Sequence, residues 1–246
     1  MPLRWIRHLS RLILVTWKHF VGPKLVPLLS TLEVVGLGLA AIALWGFAEI
    51  ADEVLEKEAL TLDTTLLLAI HRLHNPLLDR IMVGVTVVGQ PTPLVLVTLA
   101  LSLTLFVRRQ RIEGVILAIA AAGAAGLNYL LKDLFARSRP QLWEQIVDVR
   151  YYSFPSGHAM LSVVIYGLIG YLLATQPKYP SGWIISATLL VILTIGFSRL
   201  YLGVHWPTDI IAGYAAGFVW LITCILSLEI WRGKAFRRPA PVPPRR

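Results

Sequence analysis

Charge and sulfur are what this chain has least of. Only 15% of its 246 residues are Asp, Glu, Lys or Arg, and it has one cysteine, Cys224. A single cysteine excludes an internal disulfide and a cysteine-based metal centre. Set within the last apolar run, Cys224 reads as a helix-packing position. Scarce charge excludes an ordinary soluble surface, since soluble domains average about a quarter charged residues. No internal repeat or low-complexity domain interrupts the pattern. No cleavable leader is expected either, because the apolar patch at 12–17 is short and ends at Lys18. That patch reads instead as a basic amphipathic segment on a membrane surface.

What the chain has instead is apolar length. It is 56% hydrophobic, with a mean hydropathy of +0.68. Residues 34–48, 81–107, 114–131, 179–198 and 210–228 carry no Asp, Glu, Lys or Arg, and 151–177 is interrupted only by His158. A hydrocarbon core about 30 Å thick takes roughly 20 apolar residues as a helix. Gly89-Gln90-Pro91 breaks the second run and leaves 92–107 as its spanning part. Six transmembrane helices are therefore expected, at 27–49, 91–108, 112–133, 156–176, 181–200 and 208–230, in an all-α integral membrane bundle. Soluble cores do not need six such runs. The expected organisation is a basic segment at 1–26, a six-helix domain at 27–231 and a basic Pro-rich tail at 232–246, extended beside anionic headgroups.

The net charge of +9 is unevenly placed. Fifteen of the 23 Lys and Arg fall in the termini and in the connections at 108–113 and 177–181, beside only Glu33, Glu113 and Glu229. The positive-inside bias then predicts both termini in the cytoplasm, as an even number of spans requires. This positive charge forms no stripe on a soluble domain, which excludes nucleic acid as a partner. Segments 51–80, 132–155 and 199–207 consequently face outward. Within 51–80 acids alternate with leucines as in one or two short interfacial helices, and His71, His74, Asp79 and Arg80 read as a solvated face. Trp17, Trp183 and Trp231 on the inner side, with Trp143 and Trp206 on the outer, suit aromatic belts. Gly213 and Gly217 suit close helix packing.

Three polar clusters share the outer side. KDLFARSRP (132–140) ends the third span, with Lys132 at its boundary and Arg139-Pro140 as its stop. FPSGHAM (154–160) opens the fourth, with Ser156 as N-cap, Gly157 allowing close backbone approach and His158 in the first turn. The free N–H groups of such a turn attract anions. In SRLYLGVHWPTD (198–209), Arg199 ends the fifth span and Pro207 starts the sixth. Asp209, four residues beyond His205, can accept a hydrogen bond from its Nδ1–H. Charges at a membrane boundary are costly, and their concentration at the ends of four helices marks a site.

Three cations and a helix N-terminus suit a phosphate, whose oxygens match the guanidinium fork in pairs. A His held by an Asp presents a basic Nε2 as nucleophile, and a second His can protonate a leaving oxygen. Phosphoryl transfer through a phosphohistidine follows, with the cations stabilising the transition state. Two His and one Asp could ligate zinc, but three adjacent cations would repel it, so no metal or cofactor is expected.

Together these segments resemble the signature of the type 2 phosphatidic acid phosphatase (PAP2) superfamily: K-x6-RP, PSGH and SR-x5-H-x3-D, with no departure at a defining position. The resemblance implies His205 as nucleophile, Asp209 as the group orienting it, and His158 as general acid and then activator of water. It implies Lys132, Arg139, Ser156, Gly157 and Arg199 as phosphate-binding residues. Arg137, between signature positions, receives no role. The apolar runs separate the chain from the family's soluble haloperoxidases and place it with bacterial membrane lipid phosphatases. The expected activity is removal of a terminal phosphate from phosphatidylglycerophosphate, phosphatidic acid or undecaprenyl diphosphate at the outer face of the cytoplasmic membrane. Phosphotransfer to another acceptor, and lipid-phosphate binding or transport without turnover, are the alternatives. Oligomeric state is left open.

Overall fold

A computed structural model of the protein describes residues 31–236 except 57, 59, 148 and 150. The described residues form eight helices and no strand: α1 (Thr31–Glu56), α2 (Leu60–His71), α3 (Pro76–Val88), α4 (Pro91–Val107), α5 (Arg111–Phe135), α6 (Gly157–Ala174), α7 (Ser181–Tyr201) and α8 (Pro207–Phe236). The described residues divide into two units between Leu39 and Ala40, within α1. The described part of the first is the opening of α1, where Val34, Val35, Leu37 and Leu39 are exposed.

Five helices (α1, α5, α6, α7 and α8) are long and apolar enough to cross a membrane, and α3 with α4, bent by 45° between them, make a sixth if taken as one span. The all-α bundle expected from the apolar runs is thus present, with two changes. The 17 residues of α4 do not meet the length of a span alone, and α3 extends them. Pro91 opens α4, so the break falls where Gly89-Gln90-Pro91 places it. Segment 51–80 is also not simply interfacial. α1 continues to Glu56, because Ala51 and Val54 are buried in a cluster with Phe154 and Ala212. Asn75 then caps α3 by accepting from the Leu78 N–H. The expected start of the first span at 27, the segments 1–26 and 237–246, and Trp17 lie outside the described residues.

α6 is the central helix. Its apolar side chains from Ala159 to Leu168 are buried nearly all round, against α5, α7 and α8. Gly213 and Gly217 bring α8 into direct contact with the α6 backbone, as their spacing predicts: a Cβ on either would stand 2.7 Å from a carbonyl oxygen, of Ser156 or Met160. The outward faces are apolar. Leu96, Leu99, Leu103 and Val107 of α4 are each more than half exposed, a surface that suits lipid rather than water. Trp183 and Trp231 are exposed, consistent with belts. Trp206 is not a belt residue: it is buried, and its Nε1–H donates to Ser138 O at 3.0 Å.

Candidate active site

The expected end of α5 at Arg139-Pro140 is corrected by the structure. The helix stops at Phe135, and Ala136 adopts a left-handed conformation (φ 44°, ψ 32°) whose N–H donates to Lys132 O. Such a backbone is unfavourable for an alanine, and here it turns the chain so that Arg137 and Arg139 point back toward the bundle. Segment 137–140 is then tied to 151–153, with Ser153 N–H donating to Arg137 O at 2.9 Å. Lys132, in the last turn of α5, donates through Nζ to the carbonyls of Tyr152 and Ser153. Arg139 donates to Tyr151 O and Val204 O, both at 2.6 Å, which fixes its plane.

Ser156 caps α6 and accepts from Ala159 N–H, while its own N–H donates to Asp209 O at 3.0 Å. Gly157 lies against Asn128 of α5, where a Cβ would meet Asn128 Oδ1 at 2.8 Å, so the close approach expected here is to a side chain. Arg199, in the last turn of α7, is buried and donates to Thr86 Oγ1 at 2.6 Å. Pro207 is the first residue of α8, as expected. The Asp209 carboxylate reaches back to accept the Trp206 N–H at 2.9 Å, a capping arrangement that also fixes its direction.

His205 lies between these elements. Its Nδ1 is 3.2 Å from Asp209 Oδ2, and its Nε2 is 3.2 Å from Arg139 Nη1. Arg139 is only a donor, so Nε2 is the acceptor and the proton sits on Nδ1, donated to Asp209. Burial, followed by the charges of Arg139, Arg199 and Lys132, holds the His205 imidazole well below the usual histidine range, so it is neutral. Burial likewise lowers Arg139, with Asp209 opposing.

Six of the eight expected site residues line one cavity of about 410 Å³: Lys132, Arg139, Gly157, His158, Arg199 and His205. Its other walls include Pro91, Ala125, Tyr129 and Leu161, an apolar surface continuous with the charged end. The side chains of Ser156 and Asp209 stand behind it, both fully buried. Two buried nitrogens among the cavity-lining residues, His158 Nε2 and Arg199 Nε, have no hydrogen-bond partner among the described residues. Buried polar atoms are seldom left so.

Residues outside the expected set also belong here. Arg137 bridges Asp209 and Asp63 of α2, and Asn128 holds the turn before α6 through Pro155 O. Asp63 carried a legible signal, being the lone charged group in the apolar stretch Leu60–Ile70. His74 and Asp79 are not a solvated face. His74 stacks on Tyr201 at 4.2 Å, and Tyr201 Oη donates to Asp79 at 2.6 Å. His71 stacks on Trp143 at the same separation, which removes Trp143 from the expected belt. Arg80 is exposed. No group of three or more His, Cys, Asp or Glu arranged to hold a metal ion occurs among the described residues.

The family model described as "PAP2 superfamily" matches residues 113–232. Phosphatidylglycerophosphatase B of Bacillus subtilis is 28% identical over 186 residues, 74% of this chain and 85% of that protein. The lipid A 4'-phosphatase of Bacteroides thetaiotaomicron is 31% identical over 169 residues, 63% of this chain and 72% of that protein. The crystal structure of a transmembrane PAP2-type phosphatidylglycerolphosphate phosphatase from Bacillus subtilis shares the fold, with a TM-score of 0.73 at 23% identity, covering 81% of this chain and 98% of the other.

Proposed function

This chain belongs to the PAP2 superfamily and is a multi-pass membrane phosphatase, and we propose that it removes the terminal phosphate of a lipid phosphate through a covalent phosphohistidine on His205. The observation that carries this reading is the convergence on one cavity of a neutral, Asp-held imidazole with two buried, unpartnered nitrogens, His158 Nε2 and Arg199 Nε. A phosphoryl group between them gives both nitrogens a partner.

In the first step the Nε2 lone pair of His205 forms a bond to phosphorus while the bond from phosphorus to the lipid oxygen breaks. Arg139 must release Nε2 for this, and a phosphate oxygen is the better acceptor for its guanidinium. His158 gives its proton to the leaving oxygen. Asp209 stabilises the charge that develops on the His205 ring. Lys132, Arg139 and Arg199, with the first-turn N–H groups at Gly157 and His158, hold the phosphate oxygens. Ser156 acts through that turn, since its hydroxyl is engaged with Ala159. In the second step water gives a proton to His158 and attacks phosphorus. The bond from phosphorus to nitrogen breaks, releasing inorganic phosphate and restoring His205.

The apolar walls of the cavity favour a substrate that keeps its chains in the membrane. Phosphatidylglycerophosphate, phosphatidic acid and undecaprenyl diphosphate fit this description. Residues 27–231 form the phosphatase domain, flanked by basic segments at 1–26 and 232–246. The charge asymmetry supports cytoplasmic termini and a site on the outer face of the cytoplasmic membrane. The test is phosphate release from a panel of lipid phosphates by the purified protein, with and without EDTA, beside His205→Ala. Activity that survives EDTA and disappears in His205→Ala, with an acid-labile phosphoprotein in the wild type, is expected. An active His205→Ala would refute the nucleophile assignment, and EDTA sensitivity would refute the metal-free step.

A further inference from the structure

We infer that Asp63 and Arg137 are positioning residues: with Asp209 they form a buried Asp–Arg–Asp chain that sets the direction of the His205 imidazole, making α2 part of the catalytic apparatus. This rests on the reading of His205 as nucleophile. Arg137 Nη1 donates to Asp209 Oδ1 at 2.6 Å and to Thr208 Oγ1 at 2.8 Å, and its Nη2 donates to Asp63 Oδ2 at 2.8 Å. The side chains of Asp63 and Asp209 are fully buried, and that of Arg137 is 9% exposed.

The terminal torsion of an aspartate is soft and roughly two-fold, so one hydrogen bond does not fix its carboxylate. Here both oxygens are held. Oδ1 accepts from Arg137, and Oδ2 accepts from Trp206 N–H, which leaves Oδ2 aimed at His205 Nδ1. Asp63 in turn fixes the guanidinium from its other side. Asp63 also accepts from Thr208 N–H at 3.0 Å and from the Thr208 hydroxyl at 2.6 Å, so it satisfies a first-turn donor of α8 from a separate helix. The Trp206 ring lies 5.5 Å from the Arg137 guanidinium. Removing the cation would leave two buried carboxylates unneutralised. Asp63 lies outside the matched family region, in a helix that no signature residue occupies.

The experiment compares Asp63→Asn, Arg137→Lys, Arg137→Ala and the double variant Asp63→Asn/Arg137→Lys with wild type and His205→Ala, all as full-length protein, on short-chain phosphatidic acid. Asparagine keeps the shape and the acceptor for Thr208 N–H while removing the charge, so it reads out positioning even if Arg137→Ala does not fold. The expected result is a kcat lowered about 10- to 100-fold, the scale of a small misplacement at a reacting centre. KM should stay within about twofold, Arg137→Lys should retain more kcat than Arg137→Ala, and the double variant should be no worse than the worse single, as for residues acting as a unit. Wild-type kcat in Asp63→Asn and Arg137→Lys, with only a lowered thermal midpoint, would make the chain structural and overturn the inference. So would a loss confined to KM, or additive losses in the double variant. An active His205→Ala would instead remove the nucleophile reading on which the inference stands.

Discussion

Gly213 belongs to no signature, yet Gly213→Ala should slow the enzyme. A Cβ there would stand 2.7 Å from Ser156 O and 3.0 Å from Ala159 Cβ. An ordinary contact between carbon atoms lies near 3.5–4.0 Å, so α8 and the start of α6 must part by something approaching an ångström. Overpacking of this kind costs about 1–3 kcal/mol. Gly217→Ala offers the matched control, because its Cβ would meet Met160 O at 2.7 Å and Val163 Cβ at 3.1 Å, one turn farther along. The stability losses should be similar and the rate losses should not. Gly213 is one turn past Asp209 and faces the cap where Ser156 N–H donates to Asp209 O. Parting the helices there separates His158 on α6 from Asp209 on α8 and from His205 just before it. A misplacement near 1 Å costs about 10²-fold in rate. Thermal midpoint and kcat on a lipid phosphate, measured for both variants in one detergent, check this. A destabilised Gly213→Ala with wild-type kcat would refute the coupling of packing to alignment, as would equal rate losses in the two variants.

Three further outcomes are expected. Burial and the surrounding cations keep His205 neutral in the folded protein, whereas an unfolded histidine takes up a proton near 6.5. Activity should therefore show no loss from His205 protonation between pH 7 and 6, while folding stability falls as pH drops through about 6.5, because the unfolded state binds the extra proton. A kcat–pH profile and thermal midpoints across that range check both. His158→Ala should lower kcat about 10²- to 10⁴-fold on a lipid phosphate. In single-turnover measurements of the first step, the loss should be smaller with a nitrophenyl phosphate, whose leaving group needs no proton. Ala136→Gly removes an alanine from the left-handed region, which costs about 1–2 kcal/mol, and should raise the midpoint of thermal denaturation.

The parts legible in the sequence are those whose chemistry is local. The apolar runs predict both ends of α5, α6 and α7 to within two residues and the start of α8 to within one, since span length is set by the bilayer, while α8 runs six residues past its expected end at 230. The capping role of Ser156, the helix-starting role of Pro207 and the pairing of His205 with Asp209 each lie within four residues. What the sequence hides depends on partners far along the chain. Asp63 is 74 residues from Arg137 and 145 from Thr208, so its burial is not visible in its neighbours, although its isolation among leucines is. Arg137 reads as a boundary cation until the turn at Ala136 points it inward. An alanine carries no sign that it will adopt a left-handed backbone, so Arg139-Pro140 looks like the end of a helix that stops at Phe135. His74 and Asp79 look solvated because their partner, Tyr201, is more than 120 residues away.

The same contrast bears on how the site is held. Lys132, His158, Arg199 and His205 come from one helix end, one helix start, another helix end and the connection that follows it. Four cations, counting Arg137 and Arg139, repel one another and draw the elements apart unless an anion or a carboxylate intervenes. Among the described residues Asp209 and Asp63 are the buried carboxylates, and Arg137 engages both. Lys132 and Arg139 are held by backbone carbonyls instead, through Tyr151, Tyr152, Ser153 and Val204. Carbonyl dipoles orient a cation without cancelling its charge. The carboxylates thus pair with Arg137, which holds Asp209, while Lys132 and Arg139, which line the cavity, are left to neutral carbonyl partners. On the proposed reading, cations at one end of an apolar cavity suit a phosphorylated lipid, and the Asp63 carboxylate on α2 supports that arrangement through Arg137 and Asp209.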